Sequence, residues 1–298
     1  MQDLEIMQSL RLTPDILVGK TEPPFIVAEI GINHNGNLEL AKKMIKIAKE
    51  IGIDAVKFQV KDVEEAHPKE LLDMPYEGPN SFGKTYREHK LALEFSQDQL
   101  RQIYTYAREL EITCFSTPCN VSAVARLEEL DNPFYKIASF FVNWDELIKE
   151  ICKTKKPIIM STGCSTIEEI DHAVEIIREH KNPFCLMHAV SSYPTEDKDL
   201  NLNVIQSLQE RYNCPVGYSG HEKGVGLTAA SVALGACVIE RHFTLDRTMK
   251  GPDHASSVEP TGLKLIVERA KRMHDALGSS EINVYDCELA NRKKFRGY

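Results

Sequence analysis

No stretch of this chain is apolar for the roughly 18 residues that a membrane-spanning helix needs. The N-terminus, MQDLEIMQSLRL, has no basic start followed by an apolar run. It does not read as a signal peptide, and a cytoplasmic location is expected. Positive charge is in deficit: 36 Lys and Arg face 44 Asp and Glu, a net charge of −8. A nucleic-acid surface needs clustered basic residues, so neither nucleic acid nor membrane is expected as a partner. An anionic small molecule stays open, because a few lysines placed in a pocket outweigh distant charge. Cys-x-x-Cys pairs are absent, and the eight cysteines are scattered, mostly in apolar runs. They read as reduced thiols in or near the core rather than as a zinc or disulfide framework. No Gly-x-Gly-x-x-Gly follows the first apolar run, which weakens a dinucleotide-binding reading. Internal repeats and low-complexity tracts are missing as well.

What the chain does have is a rhythm. Continuous apolar runs at 24–31, 54–60, 112–118, 134–139, 157–163, 183–194, 215–221 and 237–246 read as strands. Between and after them lie eight helical patterns. In the first, Asn37 caps a helix whose apolar positions are Leu38, Ala41, Met44, Ile45, Ala48 and Ile51, and Gly52 stops it. The other helices are expected over 95–111, 121–130, 145–154, 166–180, 202–212, 224–236 and about 260–277. Eight βα units in strict order predict an α/β fold, a single-domain (β/α)8 TIM barrel, which typically needs about 250 residues. The chain has 298, of which 42% are hydrophobic. Residues 1–23 are then an N-terminal extension, 24–278 the barrel and 279–298 a polar tail ending in NRKKFRGY. Residues 61–94 form a long polar connection after the second strand. Such loops are commonly functional lids.

In these barrels the active site lies at the C-terminal ends of the strands. Those ends carry Glu29 and Asn33, Lys57 and Gln59, Ser116 and Thr117, Lys136 and Ser139, and Ser161 and Thr162. The sixth to eighth add His188, Ser191, Ser192 and Tyr193, then Ser219 and His221, then Glu240, His242 and Asp246, with Asp253 just beyond. Lysine inside an apolar run is rare, because an unpaired buried ammonium is costly. Lys57 in AVKFQ and Lys136 in FYKIAS sit in such runs. Together with the hydroxyls they make a cradle for phosphate or carboxylate; alternatively, each pairs with a barrel carboxylate such as Glu29 or Glu240. His221 and His242 end consecutive strands, roughly 5 Å apart in a sheet, so both imidazoles can meet one metal ion and leave positions open.

The segments AEIGINHNG (28–36), VKFQ (56–59), FSTP (115–118), YKIAS (135–139), STG (161–163), SSYPT (191–195), GYSGH (217–221), IERHFTLD (239–246) and GPDHASSVEP (251–260) resemble the sialic acid synthase family. That family includes the N-acetylneuraminate, legionaminate and pseudaminate synthases. The motifs stand in family order over nearly the whole chain. The resemblance implies a divalent metal, manganese foremost with magnesium or cobalt as alternatives, on His221 and His242. It implies phosphoenolpyruvate on Lys57, Thr117, Lys136, Ser139, Ser161 and Ser219, with sugar-side roles for Glu29, Tyr193 and Asp253. The implied reaction is an aldol-type condensation of phosphoenolpyruvate with an open-chain amino sugar or related aldose, giving a 3-deoxy-2-ulosonic acid. Glu29, Lys57, Lys136 and Asp253 are the catalytic candidates.

The chain departs from the pattern in two places. Family members usually carry Glu two residues after the Ser of the fourth-strand motif. Here Phe141 stands there, with Asn143 and Asp145 as the nearest replacements. Members also append a small antifreeze-like domain that reaches a partner's site in a swapped dimer. Here NRKKFRGY resembles the start of its linker, so a homodimer or a separate chain supplying that domain is the expected partner. Two other readings follow. One is a 3-deoxy-ulosonate synthase for a shorter or phosphorylated aldose, with Lys84, Arg87 and Lys90 as sources of phosphate contacts. The other is a catalytically impaired barrel acting as a binding or partner subunit.

Overall fold

A computed structural model describes residues 9–297. The chain opens with an antiparallel hairpin, β1 (Ser9–Thr13) and β2 (Ile16–Gly19). Eight parallel strands follow: β3 (Phe25–Gly31), β4 (Ala55–Val60), β5 (Thr113–Pro118), β6 (Tyr135–Ile137), β7 (Ile158–Ser161), β8 (Phe184–Ala189), β9 (Val216–Gly220) and β10 (Val238–His242). Their order around the sheet is β5-β4-β3-β10-β9-β8-β7-β6, and β5 and β6 lie side by side to close a TIM-barrel-like ring. All eight strands and the eight crossover helices expected from the sequence pattern are present. The first helix, Leu38–Ile51, has its N-terminal amides held by the Asn37 side chain and ends at Gly52 in the left-handed region, φ 90°. Among the described residues no helix is long and apolar enough to cross a membrane.

Strand alternation sorts the apolar residues into two cores. Ile26, Ala28 and Ile30 of β3, and Val56, Phe58 and Val60 of β4, face outward and pack under the helices. Phe25, Val27, Phe115, Phe134, Ile159 and Met187 belong to a separate inner cluster, which Leu10, Leu12 and Val18 of the hairpin join. The hairpin, to which the sequence pattern assigned no structure, therefore plugs the N-terminal end of the barrel. Further along the same strands the inner face turns polar. All eight cysteines are free, and six are buried.

The connection over 61–94 is not irregular. It holds two single-turn helices, Val63–Ala66 and Lys69–Leu72, and a longer one, Tyr86–Leu93. Asp62 and Thr85 cap the first and third, and Arg87 ties them together through Glu64 and Asp73. The apolar residues are too few and too irregularly spaced for periodicity to reveal these turns. The segment is also anchored across the mouth. The Gly251 amide donates to Asn80 Oδ1 at 3.2 Å, and the Lys250 ammonium lies 4.8 Å from the Phe82 ring centre.

Asn132 bridges the seam between β5 and β6. Its fully buried Oδ1 accepts from the Ser116 amide (3.0 Å) and the Tyr104 hydroxyl (2.9 Å), while its Nδ2 donates to the Phe134 carbonyl (2.8 Å). Asn132→Ala strands these groups away from water, at about 1–3 kcal/mol each. The expected loss is about 3–5 kcal/mol, read as a lowered urea midpoint with the slope unchanged. A midpoint within experimental error of wild type would show that the seam does not need this side chain.

Candidate active site at the mouth of the barrel

Glu29, Lys57, Lys136 and Glu240 project inward from β3, β4, β6 and β10, just above the apolar inner cluster. All four are buried. Lys57 Nζ lies 2.8 Å from Glu29 Oε2 and 3.5 Å from Glu240 Oε1, and donates to Thr117 Oγ1 at 3.2 Å. Lys136 Nζ meets the same Glu240 oxygen at 3.0 Å, and the Ser219 hydroxyl donates to it at 3.2 Å. Glu29 Oε1 accepts from Gln59 at 3.0 Å. The pairing alternative for the lysines therefore holds, since each has a barrel carboxylate beside it, and each also lines a cavity of about 350 Å³.

Two positive and two negative charges leave this floor close to neutral. The two lysines are not equivalent. Burial pulls the Lys57 pKa down, but Glu240 and Glu29 outweigh it and raise the value above that of an ordinary lysine. For Lys136 burial prevails over Glu240, with Lys57 adding repulsion, and its pKa is lowered. Glu240 occupies one of the three donors on the Lys136 ammonium, and no other partner for it is present among the described residues. Lys136 thus stands to gain most from an arriving anion.

Ser161 lines the same cavity with its hydroxyl buried and without a hydrogen-bond partner. Ser139 accepts from the Gly163 amide at 2.9 Å. Buried polar atoms are nearly always paired, so an unspent hydroxyl facing a cavity points to a ligand.

On the other side of the cavity are His221 and His242, with ring centres 5.6 Å apart. His221 Nδ1 donates to the Val190 carbonyl at 2.8 Å, which leaves the Nε2 lone pair exposed to the site. Burial, and then His242, push the His221 pKa down to about 3, so the ring is neutral at ordinary pH, as a metal ligand must be. His242 Nδ1 is buried with no partner. Two imidazoles with unspent nitrogen fit a divalent ion. Among the described residues no cluster of three or more His, Cys, Asp or Glu could hold one, so the remaining positions would fall to water or substrate oxygen. Tyr193 packs on His221, 4.3 Å between ring centres, and burial followed by Asp253 raises its pKa to about 12.

All eleven residues singled out from the sequence line this one cavity: Glu29, Lys57, Thr117, Lys136, Ser139, Ser161, Tyr193, Ser219, His221, His242 and Asp253. Some other candidates lie elsewhere. Asp145 is engaged with Lys149 and His172 at the start of its helix and does not replace the missing carboxylate. Arg87 is spent within the lid, Lys84 is exposed, and neither lines the cavity. His188 donates to or accepts from nothing in the cavity, because its Nε2 meets the Leu200 carbonyl at 2.6 Å. Sequence reasoning missed Lys61, Cys119, Phe140 and Ser256, which also line the cavity. Lys61 and Ser256 stand in polar stretches where nothing in the pattern marks them. Phe141 itself contributes to the wall, its ring 5.9 Å from that of Trp144.

Removing the Glu240 charge leaves two buried ammonium groups with one carboxylate. Glu240→Gln is expected to lose about 3–5 kcal/mol of stability in the ligand-free protein, measured by equilibrium urea unfolding. Unchanged stability would mean that the floor is better hydrated than its burial indicates.

The NeuB family model matches residues 44–282. The human N-acetylneuraminate-9-phosphate synthase is 41% identical over 286 residues, covering 96% of this chain and 80% of that protein. The N,N'-diacetyllegionaminic acid synthase of Campylobacter jejuni is 36% identical, covering 85% of this chain and 77% of that protein. Among solved structures, the N-acetylneuraminic acid synthetase of Leptospira borgpetersenii, crystallised with citrate, superposes with a TM-score of 0.84 at 33% identity, covering 98% of this chain and 99% of that one. With the motifs, the barrel and a family match over most of its length in agreement, the chain belongs to the NeuB family of sialic-acid-synthase-like enzymes.

Proposed function

We propose that this enzyme condenses phosphoenolpyruvate with the aldehyde of an open-chain amino sugar, releasing phosphate by C–O cleavage and leaving a 3-deoxy-2-ulosonic acid. One observation carries the reading. A single cavity holds two buried lysines, an unspent Ser161 hydroxyl, and two histidines with unspent ring nitrogen. The first set suits a small dianion, the second an oxygen that must be polarised.

Lys57, Lys136 and the hydroxyls of Thr117, Ser139, Ser161 and Ser219 would bind the phosphate and carboxylate of phosphoenolpyruvate and offset their charge. A divalent ion on His221 and His242, manganese foremost, would supply Lewis-acid polarisation of the aldehyde oxygen. The methylene carbon C3 of phosphoenolpyruvate attacks the aldehyde carbon, whose oxygen takes up a proton to become a hydroxyl, and water adds, losing a proton, at C2, the carbon that bears the phosphate. The tetrahedral adduct then expels phosphate. Glu29, held by Lys57 and Gln59, and Asp253, on the loop after β10, would orient sugar hydroxyls and move protons. Tyr193, against the histidines, would form a wall for the sugar.

Phe141 favours a second reading, an impaired barrel, because an apolar ring stands where the family usually places a carboxylate. The two are separated by phosphate release from phosphoenolpyruvate with manganese, across N-acetylmannosamine, its 6-phosphate, mannose, di-N-acetylated hexoses and arabinose 5-phosphate. Release should require one aldose and the metal, and should fall at least about 100-fold in His221→Ala. Release that persists without aldose would refute the condensation. Silence from wild type combined with turnover in Phe141→Glu would establish impairment.

A further inference from the structure

We propose that the buried ion pair between Glu222 and Arg241 is a positioning device, which holds the strand ends carrying His221 and His242 at the separation that one divalent ion needs; this rests on the two-histidine reading above. Each partner is the chain neighbour of one histidine. Glu222 directly follows His221, and Arg241 directly precedes His242. Neither lines the cavity that the histidines face. Side chains alternate along β10, so Glu240 and His242 point into the cavity and Arg241 points away from it. Arg241 shares the outer face of β10 with Ile239, in the layer that packs under the helices, and both charged partners are buried there.

One guanidinium grips the loop that leaves β9 at several points. Arg241 Nη1 lies 2.9 Å from Glu222 Oε1, and it also donates to the Gly224 carbonyl at 3.0 Å and to Thr228 Oγ1 at 2.5 Å. Its Nη2 donates to the Glu222 carbonyl at 2.7 Å. The carboxylate is held in turn: Oε1 accepts from the Thr228 hydroxyl, and Oε2 accepts from the Tyr218 hydroxyl at 2.9 Å. Gly220 leaves room for this arrangement, since a Cβ there would sit 2.5 Å from Glu222 Oε2 and 3.1 Å from Arg241 Cδ.

The consequence is geometric. The ladder between β9 and β10 ends at the pair Gly220 and Arg241. His221 lies one residue beyond it, where strand pairing no longer sets its distance from His242. On the β8 side His221 is secured, because its ring donates to the Val190 carbonyl and its own carbonyl accepts from the Thr195 amide at 3.0 Å. The Arg241 fork supplies the tie from the β10 side, across which the two rings stand 5.6 Å apart. As a stabiliser the pair is hard to explain, because apolar groups of similar volume do as well or better in such a layer. Ordering two side chains around one ion gives it a reason to be there.

The test reads two affinities on the ligand-free full chain. Manganese binding is followed by the electron paramagnetic resonance signal of the free ion, and phosphoenolpyruvate binding by calorimetry without metal. Glu222→Gln and Arg241→Met should weaken manganese at least about 10-fold while phosphoenolpyruvate affinity stays within about 2-fold of wild type. Arg241→Lys, which keeps the charge and loses the fork, should recover only part of that loss. Thr228→Val keeps the ion pair and removes the hydroxyl that touches both partners; it should weaken manganese about 3-fold, and it serves where the charge variants do not fold. Asn132→Ala, destabilised at the distant β5–β6 seam, should bind manganese as wild type does. Wild-type manganese affinity in the folded pair variants and in Thr228→Val, with the metal lost in His221→Ala, would overturn the device and leave the two-histidine site standing. An equal loss in Asn132→Ala would overturn it too, by reducing the effect to lowered stability. Manganese affinity unchanged in His221→Ala would refute the site and the device together.

Discussion

The structure turns on one carboxylate oxygen. Glu240 Oε1 takes Lys136, Lys57 and the Ser219 hydroxyl, and so links β10 to β6, β4 and β9 inside the ring. Burying four ionisable groups costs more than a hydrophobic replacement would. A barrel interior could be filled with branched aliphatic side chains, as its lower layer here is. The polar upper layer is therefore hard to explain as stabilisation. It makes sense as a preformed site, where charge compensation among protein groups stands in for the ligand and keeps the lysines ordered. Because Lys57 holds most of the carboxylate contacts and Lys136 few, an entering anion meets one rigid ammonium and one with donors to spare.

The floor and the ring were legible in the sequence because strands encode direction. With side chains alternating, Lys57 and Gln59 must share a face, as must Glu240 and His242. An out-of-place lysine in AVKFQ or FYKIAS is visible against its neighbours. The motifs of the family resemblance lie on the same strand ends, for the same reason. The hairpin over β1 and β2 was less visible. Its residues Leu10, Leu12 and Val18 are buried only because the barrel presents an open apolar end, a tertiary fact with no local signature.

The lid shows the same limit from the functional side. Its short helices are set by side-chain caps and by the Arg87 bridge to Glu64 and Asp73, not by a hydrophobic period. From composition, Lys84, Arg87 and Lys90 are interchangeable basic residues. Only three-dimensional pairing distinguishes Arg87, whose charge is spent within the lid, from Lys90, whose charge is not. His89 and His67 differ in the same way. His89 is buried in an aromatic cluster with Tyr76 and Phe82, whereas His67 faces the cavity.

Phe141 is where local and global readings pull apart. As a deviation from family pattern it marks a lost carboxylate. As a packed residue it is well accommodated, since its ring meets Trp144 and joins the edge of the outer core. A carboxylate there would lie against that apolar surface, where its charged form is disfavoured and its pKa raised. A raised pKa suits general acid–base work on water. On the proposed reading, Phe141 would bear on the water step far more than on phosphoenolpyruvate binding. The contacts of Lys57 with Glu29 and of Lys136 with Glu240 form without it.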